Sequence, residues 1–214
     1  MDLGELFERG GPLMWVILGA SIVAAAAFID RLLALRRGLI VPAPLFESLR
    51  AHLDAKDTAR ARQLCRESPT VLARVIAAGL DRSGAGRAAA KEAMEEAGTV
   101  AVGRLERWVG VLSTVAAIAP LLGLLGTVTG MIEVFYQIQG ATNPDIGRLS
   151  GGIKEALYTT GAGLTVGIPV FVAYRFIEAK IDRYAQELEE RGLALLDRMT
   201  AGDGAPGPAA EPAE

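Results

Sequence analysis

Two threonines and one glutamate are the residues of this 214-residue chain best placed to do chemistry, because they lie in or beside long uncharged stretches. Thr127 and Thr160 each carry a hydroxyl, which both donates and accepts hydrogen bonds. Such a hydroxyl can bond to a carbonyl one turn earlier in its own helix, or hold water in a cavity between helices. Glu155 can cap a helix N-terminus or handle protons or ions at the mouth of such a cavity. Spacing alone leaves both alternatives open for each residue.

Three windows of the chain contain no Asp, Glu, Lys or Arg: residues 10–29, 108–132 and 156–174. Each is long enough to cross a hydrocarbon core, which takes about 20 residues. The sequence therefore predicts an all-α membrane protein with transmembrane helices at 11–29, 108–133 and 155–175.

The composition also disfavours two classes of protein. The uncharged windows disfavour a soluble enzyme, and the lack of a basic domain disfavours a nucleic-acid binder. With Cys65 and His52 as the single cysteine and histidine, no metal site, cofactor site or catalytic constellation is expected.

The distribution of basic residues predicts how the helices are oriented. Of the 22 lysines and arginines, all but Arg9, Arg148 and Lys154 fall on one side of the three predicted spans. Because Lys and Arg near helix ends are retained in the cytoplasm, we expect the N-terminus on the outer side of the membrane and the C-terminus in the cytoplasm.

The remaining segments follow from these spans. Residues 1–10 are expected to lie outside the cytoplasm, 134–154 to form a short loop on the same outer side (both periplasmic if the membrane is a bacterial inner membrane), and 201–214 to form a disordered tail rich in Pro, Gly and Ala. Residues 30–107 are rich in Ala, Leu, Glu and Arg, with breaks near Pro42, Ser68–Pro69 and 83–86, so they predict a helical cytoplasmic domain. The second and third spans are expected to extend into it, through a continuous helix from residue 87 and through 176–200.

Small residues recur at helical spacing in the second and third spans. Such stripes let helix backbones approach closely in lipid, either within the chain or between copies. Pro120 and Pro169 lie inside the spans and remove backbone donors, which is tolerated where the helix is buried in protein or faces water. The helix-packing residues expected from this pattern are Gly123, Gly126, Gly130, Gly163, Gly167, Pro120 and Pro169.

Two runs in these spans carry a resemblance to a known family. The first is APLLGLLGTVTGM from Ala119 to Met131, and the second is GIKEALYTT from Gly152 to Thr160, followed by Gly167-Ile-Pro169. Together and in this order they resemble the MotA/TolQ/ExbB proton-channel family, most closely its ExbB–TolQ branch, since the MotA branch has four spans. Thr129 stands where an aromatic residue is usual.

The resemblance implies a proton-driven motor subunit of the bacterial inner membrane. Such proteins form a homopentamer around a dimer of a single-span ExbD- or TolR-like partner, whose membrane aspartate carries the proton. Thr127, Thr160 and Glu155 would line the pathway, and rotation of the ring would pass work to a TonB- or TolA-like protein. An ExbB-like role in outer-membrane transport, a TolQ-like envelope role, a motility motor and a non-conducting scaffold stay open, as does the choice between proton and sodium.

Overall fold

A computed structural model describes residues 11–139 and 146–200, and every regular element in those ranges is helical. Three stretches of helix in these ranges are long and apolar enough to cross a membrane. The prediction of an all-α membrane protein is therefore confirmed. In chain order the helices are α1 Gly11–Ala34, α2 Arg37–Ile40, α3 Ala43–Asp54, α4 Thr58–Glu67, α5 Val71–Arg82, α6 Arg87–Glu106, α7 Val109–Gln139 and α8 Ile146–Thr200, with a 3₁₀ turn at Ser83–Ala85.

Contacts divide the described residues into two units. The apolar unit consists of residues 11–32 and 107–178, and the charged unit consists of residues 33–106 and 179–200. The apolar unit holds most of α1, all of α7 and the first part of α8. The charged unit holds α2 to α6 and the last part of α8, as the composition of these segments leads one to expect.

Local sequence signals account for the short helices of the charged unit. The Asp57 carboxylate accepts the backbone N–H of Arg60 at 2.9 Å, which caps α4. Thr70 caps α5 in the same way, through the N–H of Ala73 at 3.3 Å. Each cap satisfies a backbone donor that the first turn of a helix leaves without a partner.

The core of the charged unit is aliphatic. Most of the large side chains fully withdrawn from solvent come from α2, α3, α5 and the end of α8, and they include Ile40, Leu49, Leu72, Ile76, Leu80, Leu195 and Leu196. Around it, Arg37 pairs with Glu187 at 2.8 Å, and Arg198 pairs with Asp54 at 2.9 Å. Because these pairs lie at the surface, the aliphatic core supplies most of the stability.

Two helix boundaries differ from the sequence expectation. The predicted uninterrupted helix from residue 87 has a turn at Arg107 and Trp108, where the arginine lies over the indole ring at 5.6 Å. The interval 134–154 contains more helix than the predicted loop, because α7 continues to Gln139 and α8 begins at Ile146. Its strongest helix breakers in the sequence, Gly140 and Pro144, fall between those two limits. The segments 1–10 and 201–214 lie outside the described residues.

Candidate ion-pathway helix pair

The α7–α8 contact brings two backbones together with almost no side chain between them. A β-carbon added to Gly163 would lie 2.5 Å from the carbonyl oxygen of Ala119 and 2.9 Å from the Cα of Gly123. A β-carbon on Gly123 would lie 3.0 Å from the Cα of Thr160. Real β-carbons do not come as close to backbone atoms as the one at position 163 would, so that position requires glycine. At position 123 the contact is tight, and a β-carbon there would require the facing backbone to shift by a few tenths of an ångström.

The same contact extends along both helices. A β-carbon on Gly126 would meet the Thr159 side chain at 2.3 Å, and one on Gly130 would meet the Ala156 methyl at 3.0 Å. At the other end, Gly167 faces the Pro120 ring, whose Cδ lies 2.7 Å from the same ideal position. The two stripes of small residues therefore face each other within a single chain.

Thr160 and Thr127 donate to neighbouring carbonyls of one turn of α7. The Thr160 hydroxyl crosses from α8 and donates to the Gly123 carbonyl at 2.8 Å. The Thr127 hydroxyl donates to the Leu124 carbonyl of its own helix at 2.7 Å. In a regular α-helix the Gly123 carbonyl also accepts the N–H of Thr127. The two predicted pathway threonines thus donate to the carbonyls of adjacent residues of α7, and both are half-buried.

Glu155 does not join this pair. It lies five residues before Thr160 on α8, which places it about 140° around the helix and about 7.5 Å along it. Its carboxylate lies instead against Gly11 at the start of α1, where a β-carbon would be 2.4 Å from Oε1. Gly11 has a φ of +67°, a conformation that favours glycine. Glu155 remains exposed in the single chain.

The two prolines have different surroundings. Pro120 is half-buried against Gly167, and Pro169 is exposed. Each lacks an N–H, so the carbonyl four residues earlier, at Ala116 or Thr165, has no helical donor. The Ala116 carbonyl oxygen lies on the Gly167 side of α7, 3.5 Å from the ideal β-carbon of that glycine. A larger residue at position 167 would therefore crowd both the proline ring and this carbonyl.

Sequence reasoning missed Thr159, which is more deeply buried than Thr160. Its side chain is 1% exposed and fills the space that Gly126 leaves open, while its hydroxyl donates to the Glu155 carbonyl at 2.9 Å. A signal was available, since Thr159 lies three residues after Ala156 and four before Gly163, on the same face of α8. Gly11 carried no such signal, because its role depends on a contact between α1 and α8.

Cys65, on α4 of the charged unit, is an unreactive thiol rather than part of a site. It is 5% exposed, and burial, with a smaller contribution from Asp81, raises its pKa from 9.0 to about 11. Since the thiolate is the reactive form, we expect iodoacetamide at pH 8 to modify the folded protein about 100-fold more slowly than the denatured chain. Equal rates would contradict the burial of this thiol.

The raised pKa of Cys65 also predicts how stability depends on pH. The thiol of the unfolded chain loses its proton at a lower pH than the buried thiol does, so the stability of the charged unit should fall as pH rises from 9.0 towards 11.

The α7–α8 pair packs closely along stretches without charged residues, in a chain with three apolar helices of membrane-spanning length, and this defines a multi-span membrane protein. Residues 67–190 match the model of the MotA/TolQ/ExbB proton channel family. This match covers more than half of the chain and includes α7 and most of α8, and the chain therefore belongs to that family.

Individual relatives agree with this assignment. The chain is 32% identical over 177 residues to a putative biopolymer transport protein ExbB-like 1 of Synechocystis, covering 80% of this chain and 68% of the relative. It is 26% identical over 197 residues to a putative ExbB homolog of Methanothermobacter thermautotrophicus, covering 92% of this chain and 68% of that protein. A shorter match of 83 residues is 36% identical to the Tol-Pal system protein TolQ of Haemophilus influenzae, covering 39% of this chain and 36% of the relative.

Proposed function

We propose that the chain is an ExbB-like subunit of an inner-membrane motor that uses the proton motive force to do mechanical work on a TonB-like protein for outer-membrane transport. In this proposal five copies form a ring, and α7 and α8 line a central pore. Two copies of an ExbD- or TolR-like single-span protein occupy that pore. The N-terminus lies in the periplasm and the C-terminus in the cytoplasm. Each proton moving inward releases about 2.3 kcal/mol per 100 mV of membrane potential.

The observation that carries this proposal is the polar content of the helix pair. Residues 108–132 and 156–174 contain no Asp, Glu, Lys, Arg or His, and their polar side chains are hydroxyls apart from Trp108 at one end. Hydroxyls can hold water or contact a partner, but with pKa values far from neutral they do not take up and release protons as a carboxyl does. A proton relay across the middle of the membrane therefore needs a carboxyl group that residues 108–132 and 156–174 do not supply, and in this proposal the single-span partner supplies it.

The surface of the apolar unit supports assembly in a membrane. Large hydrophobic side chains are exposed on all three of its helices, and a water-soluble protein rarely exposes so many. Lipid would cover some of these side chains, and neighbouring copies or the partner would cover others. They include Trp15, Ile22, Leu121, Leu124, Phe135, Leu157, Ile168, Phe171 and Val172.

A TolQ-like role in envelope maintenance is the second candidate. The 36% identity to a TolQ protein over part of the chain favours it, and the hydroxyl-lined helix pair would serve either role. Expression with the cognate partner in two reporter strains would separate them. Restored uptake in a strain without ExbB and ExbD supports the first role. Restored envelope integrity in a strain without TolQ and TolR supports the second. A motility motor or a non-conducting scaffold would restore neither.

Native mass spectrometry tests the assembly directly. We expect the detergent-purified chain to form a pentamer, and a 5:2 complex when it is co-expressed with its single-span partner. A monomer or dimer that ignores the partner would contradict the proposed ring and favour the scaffold. Uncoupler-sensitive activity of the 5:2 complex would contradict the scaffold.

We expect Glu155→Gln to reduce proton-driven activity at least about tenfold while the 5:2 complex remains intact. The physical reason is that a negative charge at the mouth of a narrow cavity raises the local cation concentration by roughly 10-fold or more. The control is Glu133→Gln, because Glu133 is exposed and bonded only to Gln137, at 3.0 Å, among its recorded partners. Full activity in Glu155→Gln would remove Glu155 from the pathway.

A further inference from the structure

We infer that neighbouring copies of this chain join head to tail through two grooves of the charged unit, an acidic groove on one copy and a basic groove on the next. This inference rests on the ring in the proposed function and adds to it the surfaces that hold the copies together outside the apolar unit. Its basis is the opposite charge of the two grooves, their position on opposite sides of α6, and the apolar side chain that each leaves exposed.

The acidic groove lies between α6 and the last part of α8 and has a volume of about 600 Å³. At Gly98 and Gly103, which line it, an added β-carbon would meet no atom within 4 Å. Three glutamates and one lysine are its ionisable lining residues: Glu95, Glu106, Glu189 and Lys91. Since Lys91 pairs with Glu95 at 3.2 Å, two glutamates remain in excess. The groove therefore offers accessible backbone and net negative charge.

The basic groove lies between α5 and α6 and has a volume of about 430 Å³. Three arginines outnumber two acids among its ionisable lining residues: Arg74, Arg82, Arg104, Asp81 and Glu96. Apart from Val100, the other lining residues are alanines: Ala78, Ala93, Ala97 and Ala101. Because alanines are small, another chain can come close to the backbone here, next to net positive charge.

The two grooves use opposite sides of α6. Gly98 lines the acidic groove and Val100 lines the basic one, and Val102 and Arg104 repeat the same offset. Residues two apart on an α-helix are separated by about 160° around its axis. Surfaces on opposite sides of one helix cannot meet within a chain, so a contact between these grooves must join different copies.

Each groove also exposes one large apolar side chain. Leu193 in the acidic groove is 39% exposed, and Val100 in the basic groove is 53% exposed. A contact that covered both would remove apolar surface from water as well as bring opposite charges together. A second copy fits this role because the same chain carries both halves of the match. A contact between two different surfaces is head to tail, and its repetition closes a ring where the rotation between copies permits.

Cysteine cross-linking tests this contact in the intact assembly. Leu193→Cys and Val100→Cys each place a thiol at the exposed apolar position of one groove. In the purified complex with the single-span partner, a short bismaleimide should link the double variant into a ladder that extends to five copies on a denaturing gel. Each single variant should stay monomeric, because like positions do not meet in a head-to-tail contact. The wild-type chain is the background control, since Cys65 is 5% exposed.

The outcomes separate the contact from the proposed function. Dimers from either single variant would mean that like grooves face each other, and would overturn the inference. A double variant that stays unlinked within an intact 5:2 complex would also overturn it, and would leave the proposed function standing. A ladder without any 5:2 complex in native mass spectrometry would support the contact and overturn the proposed function instead.

Charge reversal tests whether complementary charge drives the contact. In the double-cysteine chain, Glu189→Arg should slow cross-linking about tenfold, because it replaces an attraction with a repulsion. Adding Arg82→Glu to that chain should restore most of the rate. Glu190→Arg is the matched control, since it makes the same change at the adjacent residue, which does not line the groove. Equal slowing by Glu189→Arg and Glu190→Arg would overturn the inferred role of the acidic groove.

Discussion

Gly163→Ala should disrupt the α7–α8 pair although it adds a single methyl group. The new carbon would lie 2.5 Å from the Ala119 carbonyl oxygen and 2.9 Å from the Gly123 Cα, and neither backbone atom can move without shifting a helix. We expect a loss of stability of about 3 kcal/mol, the upper part of the usual range for overpacking. Proton-driven activity should be lost with it. Thermal unfolding of the detergent-purified protein, followed by near-ultraviolet circular dichroism, measures the first effect.

Gly161→Ala is the matched control on the same helix. Nothing lies within 4 Å of a β-carbon at this position, so the methyl group meets open space. Alanine is also a better helix former than glycine. We expect wild-type stability and assembly in this variant. If the two alanine variants unfold at the same temperature, the α7–α8 contact is not as close as described.

Leu72→Ala should produce the second large effect, in the charged unit. Leu72 lies on α5 and is fully buried, so removing most of its side chain leaves a cavity in the aliphatic core. Substitutions of this kind cost about 2–5 kcal/mol. Hydrogen exchange measured by mass spectrometry should show amides of α3 to α6 opening about 100-fold more often, which corresponds to a loss near 3 kcal/mol.

Leu39→Ala serves as the comparison for that experiment, because Leu39 is 48% exposed on α2. Little of its side chain leaves water on folding, and we expect exchange rates close to those of the wild type. An equal change in both variants would mean that the substitutions act through the unfolded chain rather than through the core.

Much of the architecture could be predicted from the sequence. Three charge-free windows of sufficient length identify the apolar helices, since few other structures accept such runs. Caps such as Asp57 and Thr70 mark helix starts in the charged unit through their short polar side chains. The order of the glycine-rich runs in the second and third spans identifies the family, and the family model confirms it.

The details of the candidate site depend on contacts that spacing does not determine. A threonine hydroxyl can donate to a carbonyl of its own helix or to one of a neighbouring helix. Thr127 donates within α7, and Thr160 donates from α8 to α7. The separation of Glu155 from Thr160 follows from the helical period alone, so it could be predicted from the sequence. The contact of Glu155 with Gly11 could not, because it requires the placement of α1 against α8.

The composition of the α7–α8 contact has a mechanical consequence. Glycine, alanine and proline have almost no rotamer freedom to lose, so joining these helices costs little side-chain entropy. The contact also contains few side chains that can change rotamer when a force acts on it, because the backbone of α7 at Gly123 lies directly against the backbone of α8 at Gly163. A torque applied to one helix would therefore be transmitted to the other with little movement of one helix relative to the other. The pair should turn as one stiff body, which is what an element that transmits torque requires.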